Sequence, residues 1–225
     1  MTNERQLKRQ LRDFLVERRL DEVGQLAGRY RRVLGALTAL TFDADPLIGW
    51  RAVEALGVAA AKIGEYDLAA VREHMRRLQW LLSEESGGIC WRAPEAMAEI
   101  VHACPTWFVE WVPIIVHLLL ETAEEDLPHF RVGILWAIGR IGSLCTGSQT
   151  DVLPAITAAL DDPDSQVRGM AAWCLVQLGQ SGILTARPSL LVDHGPVELF
   201  EDGRLRRTSV AEVSAAADDG SLGGT

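Results

Sequence analysis

Apolar residues recur along this chain at helical spacing, and one helix recurs four times. Trp50-Arg51-Ala52-Val53-Glu54-Ala55-Leu56-Gly57 and Trp91-Arg92-Ala93-Pro94-Glu95-Ala96-Met97-Ala98 align at an offset of 41 residues. Another 41 places Ile138 in the same column, within Gly133 to Gly142, and a further 37 places Leu175, within Gly169 to Gly179. The column at 48, 89, 130 and 167 holds Ile, Ile, Phe and Val. Ala55, Ala96, Ala137 and Cys174 form a second column, followed by Leu56, Met97, Ile138 and Leu175. Ala59, Ile100, Ile141 and Leu178 complete the stripe. Offsets of 7, 8 and 11 from the first column describe one buried helix face. The small second column predicts a close approach between helices.

An earlier helix precedes each copy. Leu37, Leu78, Leu119 and Leu160 stand 41 residues apart. Leu34, Met75, Val116 and Thr157 lie three residues before them, and Tyr30, Val71, Val112 and Leu153 lie seven before. Pro113 and Pro154 fall near the expected starts of their helices, where a missing N–H costs little. Each repeat is therefore helix A, a turn, then helix B. This predicts four repeats at about 29–64, 65–105, 106–146 and 147–180. Residues 1–28 form a helical cap, with Leu7, Leu11, Phe14 and Leu15 on one face. Residues 181–217 form a second cap. Pro196 to Arg207 predicts a β-hairpin about Asp202-Gly203, and Ser209 with Glu212 predicts a capping box that opens a short helix. Residues 218–225 are expected to be disordered.

The period, the paired helices and the run Asp161-Asp162-Pro163-Asp164-Ser165-Gln166-Val167-Arg168 … Ala171-Ala172 … Leu175 … Leu178-Gly179 resemble HEAT repeats. They are most similar to the short bacterial repeats named for phycobilisome lyases. The resemblance covers about residues 29 to 180. It implies an all-α fold, a right-handed α–α superhelix of about four HEAT-like helix pairs with the β-hairpin as a small cap. Gly49 and Cys90 stand where Arg131 and Arg168 supply the family's signature arginine, so the Asp–Arg ladder between repeats is not expected in the first half.

In such an array the B helices line a concave face, and their non-core positions are the candidate partner-binding surface. These are Arg51, Glu54, Arg92, Glu95 and Glu99 in the first half, and Trp136, Arg140, Trp173 and Gln177 in the second. Charges beside paired tryptophans suit a protein or peptide, since Trp and Arg dominate interface hot spots. The same positions also support a packing role, with local ion pairs three residues apart and tryptophans filling gaps between repeats. Glu54 and Glu95 recur in adjacent repeats, but an arginine three residues before each should keep both ionised. Trp107 and Trp111 are expected to pack against the turn of the second repeat.

The chain of 225 residues carries 31 acids and 22 bases, a net charge of −9. That balance argues against general nucleic-acid binding. The A–B turns concentrate the acids into an expected ridge: Asp43, Asp45, Glu84, Glu85, Glu121, Glu124, Glu125, Asp126, Asp161, Asp162 and Asp164. Such a ridge would attract a partner with a basic surface. Residues 1–35 carry the opposite sign, with Arg18, Arg19, Arg29, Arg31 and Arg32 prominent. Cys90, Cys104, Cys145 and Cys174 form no CxxC, the five histidines form no HxxxH, and no phosphate-binding glycine motif occurs. No metal or cofactor is expected, nor a catalytic residue. The cysteine usage and the charged start of the chain point to the cytoplasm, and no apolar run approaches the ~20 residues of a membrane span. The expected function is non-catalytic protein–protein binding or scaffolding. The main alternative that the family resemblance implies is a bilin-lyase-like or other small-ligand-handling HEAT protein, in which Trp136, Trp173, Arg92 and Arg140 would cradle a tetrapyrrole; a third, a HEAT-like DNA glycosylase, needs a basic concave face that the charge balance does not supply.

Overall fold

The computed structural model describes residues 4–82, 92–122, 127–147 and 149–216. They form two compact units. The first runs to Phe108 and takes in Asp202–Arg204; the second takes in Val109–Glu201 and the residues from Leu205 onward.

The first unit opens with α1 (Glu4–Val16), which buries Leu7, Leu11 and Leu15 at four-residue spacing. Two short helices follow, α2 (Leu20–Ala27) and α3 (Val33–Leu40), the latter burying Leu34, Leu37 and Leu40. Tyr30 precedes α3 and is exposed, so the expected third apolar column does not reach the first repeat. Asp45 then caps α4 (Pro46–Trp80) by accepting a hydrogen bond from the Leu47 N–H at 2.9 Å, with Pro46 in the first turn. This helix joins helix B of the first repeat to helix A of the second without a loop. The junction is a kink at Asp67 (φ −151°, ψ 69°). The Asp67 carboxylate accepts from the Ala70 N–H at 3.1 Å, the role of an N-cap for the second half. The next helix is α5 (Ala93–Ala103), whose residues Ala93 to Val101 are all buried, followed by the single turn α6 (Pro105–Phe108). At Gly57 the helices α4 and α5 come so close that a Cβ would stand 3.0 Å from the Glu99 carbonyl oxygen.

In the second unit a 3₁₀ turn, Val109–Trp111, leads into α7 (Val112–Glu121), with Pro113 in its first turn as expected. Then come α8 (Pro128–Ile141), α9 (Gln149–Ala158) and α10 (Ser165–Gln177). Pro154 lies inside α9, because that helix begins at Gln149, earlier than the apolar pattern suggested. Asp164 caps α10 through the Gln166 N–H at 2.8 Å. After α11 (Gly182–Thr185) and a 3₁₀ turn, Pro188–Val192, the chain forms an antiparallel hairpin of β1 (Pro196–Glu201) and β2 (Arg204–Ser209). Asp202 and Gly203 both have positive φ, 49° and 73°, the turn whose twist matches the flanking strands. The short helix α12 (Val210–Ala215) closes the unit with the expected Ser209–Glu212 capping box.

The periodic columns are the core. Leu37, Leu78, Leu119 and Leu160 are buried, as are Ala55, Ala96, Ala137, Cys174, Leu56, Met97, Ile138 and Leu175. The helix-pair architecture and the C-terminal hairpin follow the reading of the sequence. Among the described residues no single helix is long and apolar enough to cross a membrane.

Candidate functional site

The candidate surface consists of the non-core positions of the B helices: α4 and α5 in the first unit, α8 and α10 in the second. In the first unit these side chains bind their own chain. Arg51 donates to the carbonyls of Leu15 (2.9 Å), Val16 (2.6 Å) and Gly203 (3.0 Å). Glu54 accepts hydrogen bonds from the Nε and Nη2 of Arg18, at 3.1 and 2.6 Å. The expected Arg51–Glu54 pair is thus replaced by longer-range partners, because α1 ends beside α4. At Gly203, where φ is 73°, a Cβ would lie 2.0 Å from the Arg18 Nε, so a side chain there would displace the arginine.

Arg92 lies over the Trp50 ring, 4.1 Å from its centroid, and approaches Glu95 at 3.5 Å. Glu95 and Glu99, expected on the open face, are both buried on α5. The Glu95 Oε2 has no hydrogen-bond partner. Burial pushes its carboxyl up to about 7, against the pull of Arg92. The expectation that the arginine would hold it ionised is therefore corrected: loss of water around the carboxylate outweighs one guanidinium at this distance. Trp107 does not pack as expected either. Its ring lies over Gly64 of α4, where a Cβ would be 2.4 Å away.

In the second unit Trp136 of α8 and Trp173 of α10 stack in parallel, 6.2 Å between centroids and 6° between planes. Both are buried, and β1 covers them. The Trp136 indole N–H donates to the Phe200 carbonyl at 3.2 Å, and that of Trp173 donates to the Glu201 carboxylate at 2.8 Å. Trp173 reaches this place because Gly139 leaves space: a Cβ there would be 2.4 Å from the ring. These tryptophans are therefore not open to a tetrapyrrole or a partner while β1 is in place. Arg140 and Gln177 are half-buried. Sequence reasoning missed Ser165 and Gln166 at the start of α10. Ser165 donates to the Pro196 carbonyl at 2.9 Å. Gln166 donates to the Glu198 carbonyl at 2.7 Å and accepts its N–H at 2.6 Å. Their position in a helix cap pointed to capping alone.

The acidic turns are engaged by the fold. Asp43 binds Arg12 bidentately at 2.8 and 3.1 Å, which holds its carboxyl below the usual range. Asp162 pairs with Arg131, and Arg168 with Asp193 at 2.8 Å. Asp161 accepts from Arg187 at 2.7 Å, while Asp45 and Asp164 serve as helix caps. An Asp–Arg contact thus does exist in the first half. Its arginine comes from α1, 31 residues before the aspartate, the same separation as Arg131 to Asp162. Glu84, Glu85, Glu124, Glu125 and Asp126 lie outside the described residues, as do Cys90 and Trp91. Arg31 of the basic N-terminal region pairs with Asp67 at 2.6 Å.

Residues 128–178, which span α8, α9 and α10, match the HEAT-like repeat family. This segment is similar to a HEAT-like repeat. It contains Trp136, Arg140, Ser165, Gln166, Trp173 and Gln177. None of the curated proteins matches the chain. Among solved structures, a designed armadillo repeat protein in complex with the peptide (KR)4 is similar over 94% of this chain and 98% of its own, at 18% identity and a TM-score of 0.50. An engineered protein is similar over 97% of this chain and 91% of its own, at 16% identity and a TM-score of 0.48. An archaeal HEAT-like repeats protein from Thermococcus onnurineus NA1 is similar over 94% and 95%, at 15% identity and a TM-score of 0.38. The likeness to the designed armadillo protein concerns the fold of paired helices. Among the described residues no group of three or more His, Cys, Asp or Glu is placed to hold a metal ion.

Proposed function

We propose that this protein is a non-catalytic interaction module that binds a partner polypeptide on the face formed by the B helices of its HEAT-like repeats. One observation carries the reading. The face of α8 and α10 presents Ser165, Gln166 and Trp136, and these hold an extended length of polypeptide by its main chain. Side chains that satisfy backbone N–H and C=O groups recognise polypeptide as such, because every residue offers those groups. The similar designed armadillo protein was solved with a peptide, which supports the same class of ligand. The acidic net charge favours a partner with a basic surface.

Photo-cross-linking in the native host tests this. A benzophenone amino acid replaces Gln177, a half-buried position on α10. The expected product is one discrete protein adduct that disappears when the group is moved to Trp80, a residue that is 61% exposed. Equal labelling from both positions contradicts the proposal.

A further inference from the structure

A strand directs the main-chain groups of alternate residues to opposite edges. In β1 the carbonyls of Pro196, Glu198 and Phe200 face one edge, and each is met by a helix side chain: Ser165 at 2.9 Å, Gln166 at 2.7 Å and Trp136 at 3.2 Å. Gln166 also accepts the Glu198 N–H at 2.6 Å, so its amide closes a two-bond ring with that residue. The other edge pairs with β2.

Selectivity comes from what the β1 side chains meet. Val197 rests on Gly169 of α10, where a Cβ would stand 2.2 Å from the Val197 Cγ2. Leu199 and Phe200 are buried, and Glu201 takes the Trp173 indole N–H. By contrast β2 has no buried residue. Recognition by α8 and α10 is therefore concentrated in Pro196–Glu201.

We propose that the face of α8 and α10 is a receptor for an extended segment of the pattern Val-x-Leu-aromatic-acid, that β1 is its resting occupant, and that a partner protein carrying such a segment binds by taking the place of β1. The proposal rests on the interaction reading, but its test is separate from the cross-linking one.

The probe is a fluorescein-labelled synthetic peptide with the sequence of residues 194–209, titrated by anisotropy into the full chain. In Val197→Asp the carboxylate cannot sit on Gly169, so the resident strand is unseated while α8 and α10 keep their residues. This variant is expected to bind the peptide at least tenfold more tightly than the unaltered chain. A peptide carrying the same Val→Asp change is expected to bind neither chain. Adding Gly169→Val to the variant is expected to abolish binding. Equal binding by both chains, or none by either, overturns the proposal. Hydrogen exchange on the unaltered chain covers the case in which Val197→Asp does not fold. The β1 and β2 amides are expected to exchange at least tenfold faster than the amides at the centre of α10. If they exchange at the same rate as α10, the hairpin opens only with the whole unit and the proposal falls. Light scattering of the unaltered chain that shows a dimer dissociated by the peptide would assign the site to a second copy's hairpin and also overturn it.

Discussion

Replacing Glu95 by glutamine should remove a specific loss of stability between pH 5 and 8. The Glu95 side chain is buried on α5, its Oε2 lacks a partner, and Arg92 stands 3.5 Å away. Burial lifts the carboxyl from 4.5 to about 7. The folded chain therefore holds this proton more tightly than the unfolded chain. Its favourable contribution is complete below the unfolded value and is lost as pH rises through about 7. The full difference corresponds to on the order of 3 kcal/mol, of which roughly 2 to 3 kcal/mol falls between pH 5 and 8. Glutamine keeps the shape and cannot ionise, so the variant lacks this term. Urea denaturation followed by circular dichroism at pH 5, 6, 7 and 8 measures it. The stability of Glu95→Gln relative to the unaltered chain should rise by about that amount across the series. Other titrating groups are present in both chains and cancel in the difference. A difference that stays constant from pH 5 to 8 would refute the argument that burial dominates over Arg92.

His74 hydrogen-bonds Thr38 Oγ1 at 3.1 Å, and Thr38 gives its own hydrogen to the Leu34 carbonyl, so the imidazole is the donor. Burial lowers its pKa to about 4, so it should remain neutral by NMR titration at pH 5.5, and its contribution to stability should be lost as pH falls from about 6.5 towards 4. Arg131→Ala should cost about 1 to 3 kcal/mol in urea denaturation, because it leaves the 8%-exposed Asp162 carboxylate without its cation, whereas Arg12→Ala, at a 43%-exposed arginine, should cost clearly less. Gly139→Ala should destabilise by roughly 1 to 3 kcal/mol despite alanine's better helix propensity, since the new methyl displaces Trp173; the tryptophan emission should shift to the red. Cys104, Cys145 and Cys174 are buried, with thiols pushed up by burial, to about 11 for Cys104 and about 12 for Cys145; they should resist a thiol reagent until the chain is unfolded.

The core was legible because its signal is repeated. A column such as Leu37, Leu78, Leu119 and Leu160 needs only helical periodicity to be placed inside, and all four are buried. The state of the B-helix face was less legible. Periodicity separates a helix into core and non-core sides, but a later segment can cover the non-core side. The spacing of Trp136 and Trp173 fits an open surface as well as packing between repeats, and both lie under β1. A signal for this existed. Leu199 and Phe200 are adjacent in a strand and so point to opposite faces; both being apolar requires cover on both sides. The arginine partners of the turn aspartates were legible only as a spacing. Arg12 to Asp43 and Arg131 to Asp162 are each 31 residues, a relation between successive B helices that reveals α1 as a shortened member of the series. The repeat boundary expected at 64/65, beside Gly64, lies within three residues of the kink at Asp67, but nothing in the sequence marks Asp67 as the internal cap that lets the two helices join without a loop.

Native mass spectrometry of the full chain isolated gently from its host tests the central proposal, that the B-helix face of this chain binds polypeptide. The account predicts a complex with one defined protein, dissociated by an excess of the Val-x-Leu-Phe-Glu peptide. A chain that carries a small molecule in place of a protein partner would contradict it.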